Sequence, residues 1–474
     1  MSTKKHKKTR NYYKKSNTKS RGISNKTTRK NGKIVNSNSI SFYNKPPEVV
    51  SINGYKFLLL PVKKGSFLIT CKIFGGTYLE KKENIGISHL LEHIITRAWH
   101  KCCKIGCIKH IEKYGTFSNA HTMLMSTGYW IKGLPKYQEV LMEYILSSIL
   151  DPCIMRKTLA EEKEAVRNEI TNYINAPNYE LTDKMCKTLF KNEGMQYSFD
   201  YKRQLRILDS FTIKQIIDFS KTIVSENRII FSISGEFNKI KLLNSIKGIL
   251  KKLSYTKIPL CMPKLNSALC YNNEKCVKFV KNSGNTNSTI EIQFPLNIYY
   301  GDKIRLYIPL ITEIFGSGLN SLLLNELRNK ENLVYSASVT TSTNFCGTLI
   351  SFSIFTINKN VEEVLRKIFD IIKKYKKEYI TESLLNHFKI RYMLKLKEIC
   401  LNCVNSVNEF YSPQYFYQLN VDNPKIYTIR EITNLVENVN REKVLQLCKQ
   451  LFDLNNCIVC YSSKNKIKFT VDDF

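Results

Sequence analysis

Nowhere in this sequence do apolar residues run for the roughly twenty positions that a bilayer-spanning helix requires, which excludes an integral helical membrane protein. The N-terminus also lacks the apolar segment that a secretory signal carries. Cysteine is not scarce, at fifteen residues, but the compact spacing of a disulfide framework is missing. Reduced thiols in a cytosol-like compartment are therefore expected, with few or no disulfides. Histidine is sparse, seven in 474 residues, so two of them a helical turn apart stand out.

Acid is absent from residues 1–47, which hold fourteen Lys or Arg; the first acidic residue is Glu48. This stretch of Lys, Asn, Ser and Thr has too little apolar surface to offset the entropy of ordering and reads as a disordered basic tail. Three uses fit it: an arm for nucleic acid or another acidic surface, a mitochondrial import segment, or a solubilising extension. Lys outnumbers Arg there and no amphipathic face is visible, so the expectation is cytoplasmic, with import as the alternative. The formal net charge is +33, and subtracting the tail's fourteen charges leaves +19 on the rest.

What is present is more specific. From Asn84 to His100, the residues Ile87, Leu90, Leu91, Ile94, Ile95 and Ala98 keep the spacing of a helix that buries one face, with Asn84 as its expected N-cap. His89, Glu92 and His93 then point to the other side. Two histidines four apart on a helix can direct two imidazole nitrogens at one metal ion, with the intervening Glu as an attached base. A second helix is expected over Met155–Asn175, with Leu159, Val166, Ile170 and Tyr173 as its apolar stripe; Glu162 and Glu169 fall on that stripe. A carboxylate on a core-facing stripe is costly unless paired or bound to metal. Beside a two-histidine motif lacking a third ligand, Glu169 becomes the candidate that completes a His, His, Glu site open at its fourth position.

The remaining pattern divides the chain. Strands are expected at Tyr55–Val62 and Ser66–Phe74, as a hairpin or adjacent pair. Turn and strand follow at Tyr114–Gly133, then helices at Tyr137–Leu150, Thr212–Val224 and Asn238–Leu253 around a strand at Arg228–Ser234. Residues 254–275 read as a linker. The second half repeats the scheme coarsely: strands near Val277 and Ile290, helices at Asp302–Phe315 and Leu319–Asn329, strands at Val334–Thr341 and Thr348–Phe355, and a last strand at Cys457–Ser462. The fold class is α+β, with domains at 48–253 and 276–474, each a mixed or antiparallel sheet covered by helices. Cys102, Cys103 and Cys107, and the pairs Cys400/Cys403 and Cys457/Cys460, are expected to be structural rather than metal ligands.

These motifs resemble the pitrilysin, insulinase and mitochondrial processing peptidase family of zinc metallopeptidases. The resemblance rests on the inverted His89-x-x-Glu92-His93 motif, on Glu169 placed 76 residues after His93, and on Glu162 seven before it. Gly75-Gly76-Thr77, Asn119-Ala-His121-Thr and Gly316-Ser-Gly-Leu-Asn-Ser add to it, with Arg328 followed seven residues later by Tyr335. It implies the clamshell half of a pitrilysin-like peptidase, with one Zn²⁺ per chain held by His89, His93 and Glu169. It further implies Glu92 as the general base, Glu162 as support behind the ligands, and Asn119, Arg328 and Tyr335 as substrate-binding residues. The substrate would be a short or unfolded polypeptide. Both sets of residues lie in one chain, so a homodimer is expected, with a heterodimer as the alternative. Leu322 departs from the Arg that the family often has there, which bears on substrate preference. Two other readings stay open: a catalytically silent relative acting as a binding or assembly subunit, and a basic nucleic-acid-associated protein working through its tail.

Overall fold

Asn53 and Gly54 separate two apolar runs, and both adopt positive φ, 51° and 88°, as a two-residue hairpin turn requires. That turn joins β1 (Glu48–Ile52) to β2 (Tyr55–Pro61) and opens a computed structural model that describes residues 43–63, 65–254, 262–282, 286–401 and 404–474. Most of the expected tail and part of the expected linker, 255–261, lie outside the described residues, as do Cys403 and the side chain of Cys400.

The first sheet continues with β3 (Phe67–Phe74), β4 (Phe117–Thr122), β5 (Ser126–Gly133) and β6 (Ile229–Gly235), in the order β1-β2-β6-β3-β5-β4. The expected pairing of the two early strands is corrected. β6 is inserted between them, parallel to β2 and antiparallel to β3. The second sheet holds β7 (Cys276–Lys281), β8 (Asn287–Leu296), β9 (Val334–Asn344), β10 (Gly347–Ile357) and β11 (Ile458–Ser463), in the order β7-β11-β8-β10-β9. Without β1, the first sheet has the same order: a late strand enters between the first two, and β4 and β9 form equivalent edges.

In the first half the helices are α1 (Ile87–Ile95), α2 (Gln138–Leu150), α3 (Arg156–Ile174), α4 (Tyr179–Leu189), α5 (Tyr201–Ile207), α6 (Ile213–Ile223) and α7 (Lys239–Lys252). The second half adds α8 (Ile308–Gly316), α9 (Val361–Tyr375), α10 (Glu382–Leu401), α11 (Val404–Phe416), α12 (Ile429–Glu437) and α13 (Arg441–Leu451). The expected helix at Leu319–Asn329 is instead one α-turn, Leu322–Leu324, running into a π-helical turn, Asn325–Lys330. No helix among the described residues is long and apolar enough to cross a membrane.

Strand alternation explains the layers. Phe57 and Leu59 of β2 enter a core with Leu90, Ile94, Leu141 and Ile145, while Leu58 and Leu60 face a central core on the other side. β11 does the same, with Val459 and Tyr461 on one face and Ile458 and Cys460 on the other. Cys457 and Cys460 therefore belong to different cores rather than to one metal site.

The central core is closed by an exchange of helices. α4, from the first half, lies against β11 with Leu181, Met185 and Leu189 buried. α11, from the second half, lies across β6; the Ser232 hydroxyl donates to Ser412 Oγ at 3.1 Å and that of Ser234 to the Val404 carbonyl at 2.8 Å.

The expectation of reduced thiols is corrected as well. Cys102 is bonded to Cys107, Cys103 to Cys153 and Cys270 to Cys346. Sequence spacing conceals the Cys103–Cys153 pair because the segment after α1 folds back on the end of α2, where the Cys153 amide donates to the Ala98 carbonyl at 2.7 Å.

Because the halves share a core, they should unfold together. Both tryptophans, Trp99 and Trp130, lie in the first half, whereas Phe352 is fully buried in the second. Phe352→Ala should cost about 3–5 kcal/mol. Its denaturation midpoint should shift equally by tryptophan fluorescence and by far-ultraviolet circular dichroism; a tryptophan midpoint left at the wild-type value would disprove the coupling.

Candidate metal centre

The helix that bears the histidines is shorter than its periodicity suggests, because Gly86 at φ 93° starts it and turns beyond Ile95 end it. Asn84 is not its cap; the Asn84 side chain accepts the Lys81 amide at 2.6 Å. The free amides of the first turn go instead to Glu80, which accepts Gly86 N–H at 2.9 Å and Ser88 N–H at 2.7 Å. Ser88 Oγ donates in turn to the Gly76 carbonyl at 2.9 Å. Buried Ile87, Leu90, Leu91 and Ile94 then fix the rotation of α1, and His89 and His93 face away from the core.

α3 crosses beside α1 and is fixed by buried Leu159, Val166 and Ile170. It delivers Glu169 to both histidines: Oε2 stands 3.3 Å from His89 Nε2 and 3.6 Å from His93 Nε2. The two imidazoles meet edge to face, with centroids 4.9 Å apart. One ligand atom from each of the three residues lies within 4.8 Å of the others, and this is the one such cluster among the described residues. Two neutral imidazole nitrogens and one carboxylate, partly open to solvent, are a donor set suited to a borderline divalent cation such as Zn²⁺.

The surroundings hold these groups in place. Glu162, 3 % exposed, puts Oε2 at 3.0 Å from His93 Nδ1, so the Nδ1 proton is engaged and Nε2 keeps its lone pair for the cluster. Arg97 Nε lies 2.6 Å from Glu162 Oε1 and offsets the charge of that buried carboxylate. Glu92, 8 % exposed, accepts the Thr122 hydroxyl at 2.7 Å. Burial pushes the Glu92 carboxyl pKa upward, against the pull of Thr122 and the two histidines. The hydrogen bond with His89, and then His93 nearby, hold Glu169 below the usual carboxylate range despite partial burial. Burial opposes the charged form of His93, but its bond to Glu162 and the neighbouring carboxylates outweigh this and raise its pKa.

The cluster lines a cavity of about 1070 Å³ whose rim includes Phe117, Asn119, Met123, Tyr173 and Tyr201. Asn119 lies on β4, the open edge of the first sheet, with its own Oδ1 accepting the Ala120 amide at 2.9 Å. Arg328, in the π-helical turn, and Tyr335, 59 % exposed at the start of β9, are on the surface of the second half. The cavity is lined from Thr77 to Gln204 alone, so one chain does not bring Arg328 or Tyr335 to the histidines. Glu80, Arg97 and Thr122 escaped the sequence reading. Arg97 stands four after His93 in the turn that follows α1, a spacing at which a cation could have been sought for Glu162; Thr122 is reached only through the fold, which lays β4 beside α1.

Two family models match the chain: Insulinase (Peptidase family M16) over residues 65–201 and Peptidase M16 inactive domain over 210–392. An uncharacterized zinc protease from Rickettsia felis is 19 % identical over 382 residues, 80 % of this chain and 87 % of the relative. One from Bacillus subtilis is 22 % identical over 379 residues, 80 % and 88 %. Among solved structures, a protease from Helicobacter pylori superposes with TM-score 0.77 at 17 % identity, covering 88 % of this chain and all of that one. A peptidase M16 inactive domain from Pseudomonas fluorescens gives 0.74 at 13 % identity, covering 90 % and 99 %. At these identities the likeness to solved structures carries the two-sheet fold alone.

The buried Glu80 carboxyl allows a measurement of how α1 is held. Burial raises its pKa to about 7, although the Gly86 and Ser88 amides favour the ionised form. Between the unfolded value of about 4.5 and 7 the folded chain keeps a proton that the unfolded chain has lost. Stability contributed by this group therefore falls as pH rises through that window, by on the order of 3 kcal/mol. The melting temperature of Glu80→Gln minus that of the wild type should accordingly climb from pH 5 to pH 8; a flat difference would contradict the assignment.

Proposed function

The chain belongs to the insulinase family of peptidases, family M16, and from that membership and the geometry of its cleft we propose that it is a zinc-dependent endopeptidase of short or unfolded polypeptides. The observation that carries this reading is the meeting of His89, His93 and Glu169 beside the buried base Glu92. All four lie within residues 65–201, so the match of 210–392 to an inactive domain does not bear on them. That match runs from the end of the first half into the second, whose counterpart of α1, Ile308–Gly316, has no histidine.

His89, His93 and Glu169 would hold one Zn²⁺ per chain. A zinc ion at such a site acidifies water and polarises a carbonyl oxygen as a Lewis acid. The remaining work belongs to side chains. Glu92 takes the proton of the attacking water and returns it to the leaving amine, a shuttle favoured by a carboxyl whose pKa burial has raised. Thr122 fixes its orientation through Oε2. Glu162 keeps the His93 ring turned so that Nε2 faces the cluster. The free edge of β4, with Asn119, offers main-chain hydrogen bonds to an extended peptide. A folded substrate seldom presents such a segment, which restricts the reaction to unstructured chains.

Arg328 and Tyr335 enter this scheme from a second copy of the chain, since they are exposed and remote from the cavity of their own. In a homodimer they would bind the substrate and stabilise charge that develops on the carbonyl oxygen, worth about 3 kcal/mol.

Purified protein should contain one zinc per chain and cleave an unstructured peptide. Chelator should abolish cleavage and added zinc restore it, Glu92→Gln should lower kcat by at least about a hundredfold with zinc retained, and His89→Ala should lose the metal. Metal-independent cleavage, or full activity in Glu92→Gln, would reject the proposal. Dimer action makes a separate prediction. Glu92→Gln and Arg328→Ala, each inactive alone, should regain about a quarter of wild-type activity when their subunits are exchanged at random, because half the dimers then hold one complete site. No recovery would put Arg328 to work within its own chain or outside catalysis.

A further inference from the structure

One ring in the cleft is left unused by this chemistry. Tyr173 stands one turn beyond Glu169 on α3, and its place in the Leu159, Val166, Ile170 pattern marks it for the core. It is nevertheless 44 % exposed and lines the same cavity as His89 and Glu92.

The exposed ring is firmly held. It stacks on Tyr201 with centroids 5.0 Å apart and planes 26° from parallel, and Tyr201 stacks on Tyr179 at 5.8 Å and 24°. Phe199 closes edge-on against Tyr201, at 5.8 Å and 66°. Tyr179 is only 8 % exposed, and its hydroxyl accepts the Lys202 amide at 3.4 Å. Asp200 caps α5 by accepting Arg203 N–H at 3.0 Å, which fixes the residue where Tyr201 begins the helix. Three helices thus build a ladder of rings whose last member is open to the cleft. Its rotamer entropy was lost on folding, so an incoming ring meets a preorganised face. Met123, 59 % exposed, and Leu124 add apolar surface to the same cavity.

We propose that Tyr173 forms an aromatic subsite beside the cleaved bond and is a specificity-determining residue, favouring substrates that carry Phe, Tyr or Trp there. This rests on the peptidase reading above. Offset stacking suits a flat partner at the end of a ladder already stacked. The neighbouring Glu169 carboxylate is engaged by both histidines, which favours a neutral ring over a cation at this position.

The test uses peptides of constant sequence in which a single Phe, Arg or Ala is moved stepwise across the cleaved bond. The zinc-loaded protein cleaves them with products identified by mass, and calorimetry measures their binding to Glu92→Gln. Phe beside the bond should raise kcat/KM about fivefold over Ala. Tyr173→Ala and Tyr173→Leu should lose that ratio, and Tyr173→Phe should keep it. The tighter binding of the Phe peptide to Glu92→Gln should vanish when Tyr173→Ala is added. A Phe-to-Ala ratio that survives in Tyr173→Ala, or Arg preferred over Phe, overturns the subsite. If the wild type cleaves none of the peptides, the peptidase reading fails and binding alone decides: a Phe preference abolished by Tyr173→Ala upholds the aromatic subsite, and equal binding overturns it.

Discussion

One carboxylate oxygen organises this protein: Oε2 of Glu169, within 3.6 Å of an imidazole nitrogen from each of two histidines. To bring it there, α3 must run beside α1 at a set depth and rotation. Both helices are pinned by residues that never touch the cluster, Leu90 and Ile94 on one and Val166 and Ile170 on the other. The polar groups behind the cluster follow from that crossing. Where Glu162 is carried into the interior, about two turns before Glu169 on the same face, Arg97 and His93 share its charge. An isolated buried carboxylate would be costly, and the partners turn that cost into a fixed ring orientation.

The two halves use one strand order for different ends. β4 and β9 are equivalent edges, and α1 and α8 follow equivalent strands, yet the sequence Ile308–Gly316 carries no histidine. The second half keeps the scaffold and offers surface groups instead, among them Arg328 and Tyr335. The strand order is thus repeated, while among the described residues the His, His, Glu cluster stands on one copy alone.

Much of this was legible in the residues, and the failures have physical causes. Helices with one apolar face, such as α1, α6 and α7, announce themselves by period, and the inverted motif brought its own third ligand by helix face. The placement of β6 between β2 and β3 left no local trace, because parallel pairing joins strands roughly 170 residues apart in the chain. The Asn53-Gly54 turn was a readable hairpin sign, and a strand expected to begin at Tyr55 left its partner β1 unassigned. Residues 176–211, which supply α4, α5 and the rings of Tyr179, Phe199 and Tyr201 behind Tyr173, show no long periodic run. Tyr173 was misassigned because periodicity reports which face a residue is on, not where the covering partner ends. Glu80 acts as a cap from outside the helix, and no pattern of neighbours points to such a role.

The trading of α4 and α11 has a mechanical outcome. In many two-part enzymes a hinge lets the parts swing apart to admit a ligand. Here such a swing would have to pull Leu181 and Met185 from β11 and Tyr411 from β6, stripping apolar surface into water at roughly 25 cal/mol for each Å². The chain is thus stiff as a body. Any widening of the cavity beside His89 and His93 must therefore come from its own margins, such as thermal fraying along the open edge at β4.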